Sequence, residues 1–211
     1  LSGTSAGGHI ALLAAYTMDR PDLRAPELAG RDLAVAGVFT ISAPVHAGLM
    51  LEHNPGMIES AHPRSGLAYD PLTDHDPLVP PGPAASLAEK QRWNLAQWRR
   101  VNGLLRDLLG GGPDDVPEMF ALATVETHVR PDVPPTLLIQ GDQDMLVPVK
   151  ATRLLHQRLQ AAGAAVSYLE LPQTEHGFDL AFVPVSPPAQ AALQAIRRFL
   201  AAVGATEATR I

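Results

Sequence analysis

The 211-residue sequence contains no cysteine, which excludes a disulfide scaffold and a cysteine-ligated metal site while leaving the compartment open. Basic charge is also scarce. With 16 Lys and Arg against 22 Asp and Glu, the net charge is −6 and no basic run is available to neutralise phosphates, so nucleic acid is not an expected partner. No apolar run reaches membrane-spanning length. Internal repeats and low-complexity stretches are missing, and no His, Asp and Glu residues fall at ligand spacing, so no metal or organic cofactor is called for. The chain begins at Leu1 rather than Met, and only Leu1 and Ser2 stand where a buried strand is needed before the first motif. The expectation is therefore a carboxy-terminal part of a longer protein, with any targeting segment upstream. What is present, 46% apolar and 18% charged residues, suits one globular domain with a sizeable core.

The first motif is Gly3-Thr4-Ser5-Ala6-Gly7, which fits G-x-S-x-G. In this nucleophile elbow a strand turns sharply into a helix and holds a serine hydroxyl at the apex. Ser5 is the candidate nucleophile. Strand and helix must pass closely, so the positions two before and two after the serine have to be small; Gly3 and Gly7 meet that demand and Gly8 adds room. Ile10, Leu13, Ala14 and Thr17 recur at helical spacing over Gly8 to Met18, with Pro21 just past the expected end. The amino terminus of that helix would face Ser5, leaving the Ala6 N–H and the positive end of the helix dipole to stabilise an oxyanion.

Beyond a polar connection, Leu33 to Ser42 reads as a buried strand carrying Val35, Val38, Phe39 and Ile41. A helix between two buried strands marks a parallel α/β sheet. From Pro44 to Pro135 the pattern changes, first to irregular chain through Pro83 and then to a helix opened by a Ser86/Glu89 capping box. Its stripe is Leu87, Leu95, Trp98, Val101, Leu105 and Leu108, and Gly110 to Gly112 end it. A shorter helix is expected over Val116 to Thr124. This stretch, about 44–135, is read as a cap-like insertion, with Trp93 and Trp98 either packing it or roofing a pocket. Alternation then resumes: strand at Thr136 to Gln140, helix at Val149 to Ala161, strand at Val166 to Leu171. A last helix, Ala189 to Val203, has Leu193, Ile196, Phe199, Leu200 and Val203 on its buried side.

Two loops after these strands carry the remaining candidates. Gly141-Asp142-Gln143-Asp144 with Val147-Pro148 follows one, and Glu175-His176-Gly177-Phe178 follows the next. Catalytic groups of open parallel sheets gather at the carboxyl ends of strands. Asp144, three after the Gly, is the expected partner of a histidine, and Asp142 the expected turn cap. His176 alone among eight histidines stands just past a strand at that edge. His46, His53, His62 and His75 belong to the connecting region, His128 to a loop of the insertion and His156 to a helix surface. His9 is expected to pack or to line the pocket edge. Serine, then acid, then histidine, each after a parallel strand, is a triad order in which no one residue has to carry the reading alone.

On these residues, Gly3 to His9, Pro134 to Asp144 with Val147-Pro148, and Glu175 to Phe178, the sequence resembles the carboxylesterase branch of the α/β-hydrolase fold, near its hormone-sensitive-lipase-like and feruloyl-esterase-like groups. The resemblance implies a mostly parallel sheet with helices on both faces over 1–211. It implies Ser5 as nucleophile, His176 as proton shuttle and Asp144 as the group that fixes the histidine tautomer. Ala6, Gly3 and Gly7 take the oxyanion and elbow positions, and a small-molecule ester is the implied substrate. Such families complete the oxyanion hole with an upstream His-Gly-Gly stretch that does not stand in this sequence, and losing one donor costs about 100- to 1000-fold in rate. The piece alone is thus expected to be weakly active or inactive. Peptide, amide or arylformamide cleavage on the same triad, a binding protein without turnover, and a non-functional fragment are the alternatives.

Overall fold

A computed structural model describes residues 1–53, 82–90, 104–180 and 183–208. Residue contacts divide the chain into two compact units, one formed by 1–53 with 121–211 and the other by 54–120. The first unit holds four strands: β1 (Ser2–Thr4), β2 (Val38–Ile41), β3 (Thr136–Gly141) and β4 (Val166–Leu171). They pair in the order β1-β2-β3-β4, and every pairing is parallel. Ser2 stands beside Phe39, Phe39 beside Leu137, and Leu137 beside Ser167. All four carboxyl ends therefore open on one edge.

Successive side chains of a strand point to opposite faces, and both faces of this sheet are covered. Val38 and Leu138 face α1 (Ala6–Tyr16) and α5 (Val149–Ala161), in a core with Leu12, Tyr16, Leu155 and Leu159. Phe39, Ile41, Leu137 and Ile139 face α6 (Pro187–Ala208) and pack with Ala192, Ile196 and Phe199. The same unit has α2 (Ala47–His53) and a 3₁₀ turn at Val125–His128. Buried Tyr16 and Thr136 share a hydroxyl hydrogen bond of 2.8 Å, and burial pushes the Tyr16 phenol up to about 12.

Of the second unit the structure describes 82–90, which includes a helical turn at 87–90, α3 (Leu104–Leu109) and the beginning of α4 (Pro117–Ala123). The Ser86/Glu89 capping box is formed. Glu89 accepts from the Ser86 N–H at 2.7 Å, and the Ser86 hydroxyl accepts from the Glu89 N–H at 3.3 Å. Of the helix's apolar stripe, Leu87 and Leu108 are exposed. Leu95, Trp93, Trp98, Val101, His62 and His75 lie outside the described residues.

Three sequence expectations are corrected in the first unit. The buried face of α1 is Gly8, Ala11, Leu12, Ala15 and Tyr16, whereas Ile10 is 66% exposed and Ala14 is exposed as well. Three of the five are Gly or Ala, because α1 crosses close over the sheet; small residues carry little hydropathy, so the helical spacing of Ile10, Leu13, Ala14 and Thr17 does not mark this face, although Leu13 packs against the core. The β2 strand is shorter than Leu33 to Ser42, ending where Ser42 turns to φ 49°. On α6, Leu200 is half exposed, while Ala189 is buried and Ala192 is buried against the sheet.

Candidate active site

The backbone of Ser5 has φ 53° and ψ −127°, a conformation that costs an L-residue about 1–3 kcal/mol and persists only where its surroundings impose it. Two features impose it here. The Ser5 N–H donates to the Ile41 carbonyl at 2.8 Å, holding the turn against β2. The chain also crosses itself so tightly that a Cβ on Gly3 would lie 2.2 Å from the carbonyl carbon and oxygen of Gly7. Gly8 is enclosed too, its Cβ position being 2.9 Å from the Ala43 Cβ and from the Gly3 carbonyl oxygen. Gly7 corrects the sequence reading. No described atom lies within 4 Å of a Cβ placed there, so what the turn needs at this position is its backbone.

This asymmetry sets an expected outcome. Gly3→Ala costs about 3 kcal/mol or more, because a methyl against backbone has no flexible neighbour to displace. Thermal denaturation should show its midpoint falling by about 6–12 °C, whereas Gly7→Ala, within the first turn of α1, leaves it unchanged or slightly raised. Equal losses from the two variants would refute the crossing argument.

Backbone strain recurs along the carboxyl edge of the sheet. The three described non-glycine residues with positive φ are Ser5 after β1, Ser42 after β2 and Gln173 after β4. On that edge the Ser5 hydroxyl lies 3.1 Å from His176 Nε2. His176 Nδ1 lies 2.8 Å from Asp144 Oδ2 and 3.0 Å from Oδ1. The carboxylate can only accept when ionised, so Nδ1–H donates to it and Nε2 is left to accept from Ser5.

Asp144 is held from several sides. Its Oδ1 accepts from the backbone N–H groups of Leu146 at 3.0 Å and Val147 at 2.8 Å, and Oδ2 accepts from the Gln140 amide at 2.8 Å. Burial opposes its charge, but the hydrogen bond from His176 and those from the Val147 and Leu146 amides outweigh burial and hold the carboxyl below its ordinary range. The hydrogen bond to Asp144 raises the His176 pKa above its ordinary value. Partial burial works the other way, and the negative charges of Asp144, Asp179 and Glu175 reinforce the rise.

The acid and histidine loops are joined to each other. Gln143 N–H donates to the Thr174 carbonyl at 3.1 Å, and Met145 N–H donates to the Glu175 carboxylate at 2.8 Å. Gly141 allows this approach, since a Cβ there would sit 2.2 Å from the Thr174 oxygen. Asp142 does cap a turn, that of the neighbouring loop, accepting from Thr174 N–H at 3.4 Å. Thr4, the variable residue before the serine, donates its hydroxyl to Asp179 at 3.1 Å and so ties the elbow to the histidine loop. Residue spacing does not reveal Gln140, Glu175 or Asp179. Their only signal is a polar residue ending an apolar strand or flanking His176.

The other described histidines have separate partners. His9 Nε2–H donates to the Ala123 carbonyl at 2.6 Å, and His128 to that of Leu122 at 2.9 Å. His53 bonds the Met145 carbonyl at 2.8 Å, His46 Nδ1 accepts from Leu49 N–H at 3.2 Å, and the His156 ring lies 5.2 Å from that of Tyr168. A surface cavity of about 430 Å³ is lined by Leu49, His53, Asp144, Met145 and Pro148, and by neither Ser5 nor His176. Among the described residues no three His, Asp or Glu side chains converge as a metal site requires. No described helix is long and apolar enough to cross a membrane.

The BD-FAE family matches residues 74–159. Esterase LipC of Mycobacterium tuberculosis is 29% identical over 181 residues, covering 85% of this chain and 34% of the relative. "Probable carboxylic ester hydrolase LipM" of the same organism is 28% identical over 208 residues, covering 98% of this chain and 38% of the relative. Among solved structures, the Thermogutta terrifontis esterase Est2 with propionate bound superposes with a TM-score of 0.55 at 22% identity, covering 96% of this chain and 55% of that one. Esterase 2 of that species phosphonylated by sarin gives 0.56 at 20% identity, covering 96% of this chain and 56% of that one. The chain thus spans just over a third of the curated relatives' length and about half of the solved chains'. Parallel sheet, strained serine turn and these structural likenesses show the α/β-hydrolase fold, and in sequence the chain is similar to the esterases LipC and LipM.

Proposed function

We propose that the intact protein hydrolyses carboxylic esters of small or medium acyl groups through an acyl-enzyme formed on Ser5. The observation that carries this is the continuous hydrogen-bonded line from Ser5 Oγ through His176 to Asp144, at 3.1 and 2.8 Å. Ser5 Oγ attacks the ester carbonyl carbon while its proton passes to His176 Nε2, and the carbonyl oxygen becomes an oxyanion. The Ala6 N–H, at the start of α1 where no intrahelical acceptor exists, is the donor this chain offers to that charge. Collapse of the intermediate breaks the bond to the alkoxide, which leaves with the proton from Nε2. Water, deprotonated by the same nitrogen, then releases the acid and restores Ser5. Asp144 keeps Nδ1 protonated throughout and stabilises the imidazolium.

An organophosphonate probe tests the nucleophile directly, a choice supported by the sarin-phosphonylated esterase 2 of Thermogutta terrifontis. Peptide mass spectrometry of the intact protein should find the adduct on Ser5, with p-nitrophenyl esters turned over and the matched anilides and formamides not. An adduct elsewhere, or turnover confined to the amides, would overturn the reading.

His176 acts as base only when neutral, and its pKa is raised by Asp144, so the pH dependence has a definite sign. The kcat/KM for a p-nitrophenyl ester rises with pH through that pKa, and its acid limb lies above 6.5, the ordinary histidine value. A limb at or below that value would contradict the ionised Asp144–His176 pair.

A further inference from the structure

We infer that Gln140 is a positioning residue for the Asp144 carboxylate, an inference that rests on the triad reading above and adds a fourth side chain to it. Gln140 is fully buried at the end of β3, on the sheet face covered by α5. A buried amide is costly unless its hydrogen bonds are made, and an apolar side chain at this place would need none. Every bond it makes leads to the acid loop or to an anchor beneath it. The amide nitrogen donates to Asp144 Oδ2 at 2.8 Å and to the Val147 carbonyl at 3.3 Å. The amide oxygen accepts from the Thr152 hydroxyl at 3.2 Å.

These partners fix which way the amide faces. Turned over, its oxygen would meet a carboxylate and a carbonyl, both acceptors, while its nitrogen would face Thr152. The two acceptors therefore hold the Gln140 donors toward the acid, and buried Thr152 of α5 completes the arrangement by donating its hydroxyl to the amide oxygen. The consequence is chemical. Asp144 Oδ2, which also faces His176 Nδ1 at 2.8 Å, is pinned by a donor outside the loop that carries it, so the direction of the carboxylate follows the rigid strand. Gln140 touches neither Ser5 nor His176, so no direct contact to substrate is assigned to it.

The test compares Gln140→Leu and Gln140→Glu in the intact protein, with kcat, KM and melting temperature measured across pH on a p-nitrophenyl ester. Removing one charge-assisted hydrogen bond should lower kcat about 10- to 100-fold in Gln140→Leu, with KM little changed and the acid limb shifted upward in pH because the carboxylate loses a stabilising donor. Gln140→Glu is nearly isosteric. While it shares a proton with Asp144 it still donates, and on losing that proton it places two carboxylates side by side, so activity should acquire a descending alkaline limb that the parent lacks. A lowered melting temperature with parental kcat and an unmoved pH profile in both variants would overturn the inference and leave Gln140 a packing residue. If Gln140→Leu does not fold, the alkaline limb of Gln140→Glu decides alone. Asp144→Asn separates the two levels: loss of activity there with no effect at Gln140 sinks only this inference, and parental activity there sinks the triad itself.

Discussion

Ser5→Ala lowers kcat toward p-nitrophenyl esters by about 10⁴- to 10⁶-fold, the scale on which loss of a serine nucleophile is felt. The substitution removes one oxygen, whose partner is His176 Nε2 at 3.1 Å. Nothing else in the turn depends on that oxygen. The strained φ of 53° is imposed by the Ser5 N–H bond to Ile41 and by the crossing of Gly3 over Gly7, and both survive in the variant. Alanine tolerates this backbone about as poorly as serine, so the melting temperature should stay close to that of the parent. Activity and stability are thereby separated. The matched measurements are ester turnover and thermal denaturation on the same preparation, and a variant retaining a tenth of parental kcat would end Ser5's candidacy.

The second large effect is Asp144→Asn, expected to lower kcat about 10⁴-fold through the tautomer it enforces. The Asp144 carboxylate is fully shielded from solvent and accepts from four donors: Leu146 N–H, Val147 N–H, the Gln140 amide and His176 Nδ1–H. Asparagine keeps a single oxygen. If that oxygen serves the two backbone N–H groups, the new amide nitrogen faces the Gln140 amide and His176, donor against donor. The imidazole relieves the clash by carrying its proton on Nε2, where it donates to Ser5 and no longer accepts from it. The pH profile should change with it. The hydrogen bond to Asp144 is the leading cause of the raised His176 pKa, so the residual acid limb of kcat/KM moves downward. A variant with parental kcat, or with an unmoved limb, would show that Asp144 is not the orienting acid.

The helix Val149–Ala161 and the strand Val166–Leu171 stand at the bounds their periodicity marks, because each pattern is written in contiguous residues. Ser5 is picked out as a candidate by the same kind of local signal. G-x-S-x-G is short because the tight turn itself is short, and its glycine at position 3 answers a backbone contact only four residues away. By contrast, the residues whose spacing marks α1 as a helix, Ile10 and Ala14 among them, are not the ones it buries. Its buried side includes, beside Leu12 and Tyr16, the small residues Gly8, Ala11 and Ala15, whose smallness matters only against a sheet at close distance, and that distance is written nowhere in the helix. Gly7 and Gly8 exchange the importance the motif gave them for the same reason, since it is Ala43 that closes on Gly8.

The candidate site divides in the same way. By itself the sequence determined which residues are chemically competent and in what order they follow parallel strands: Ser5, Asp144 and His176, each placed by a motif of a few neighbouring residues. Only the tertiary structure decided how they meet. Ser5 and His176 are 171 residues apart along the chain, and their hydroxyl and ring nitrogen come within 3.1 Å because strands β1 and β4 end on one edge of a sheet, with two strands between them. It also decided who supports them: Gln140 under Asp144, Thr152 under Gln140, and Asp179 against Thr4. A hydrogen bond depends on distance and direction in space, and residues that satisfy it across a sheet leave no periodic or local trace in the order of amino acids.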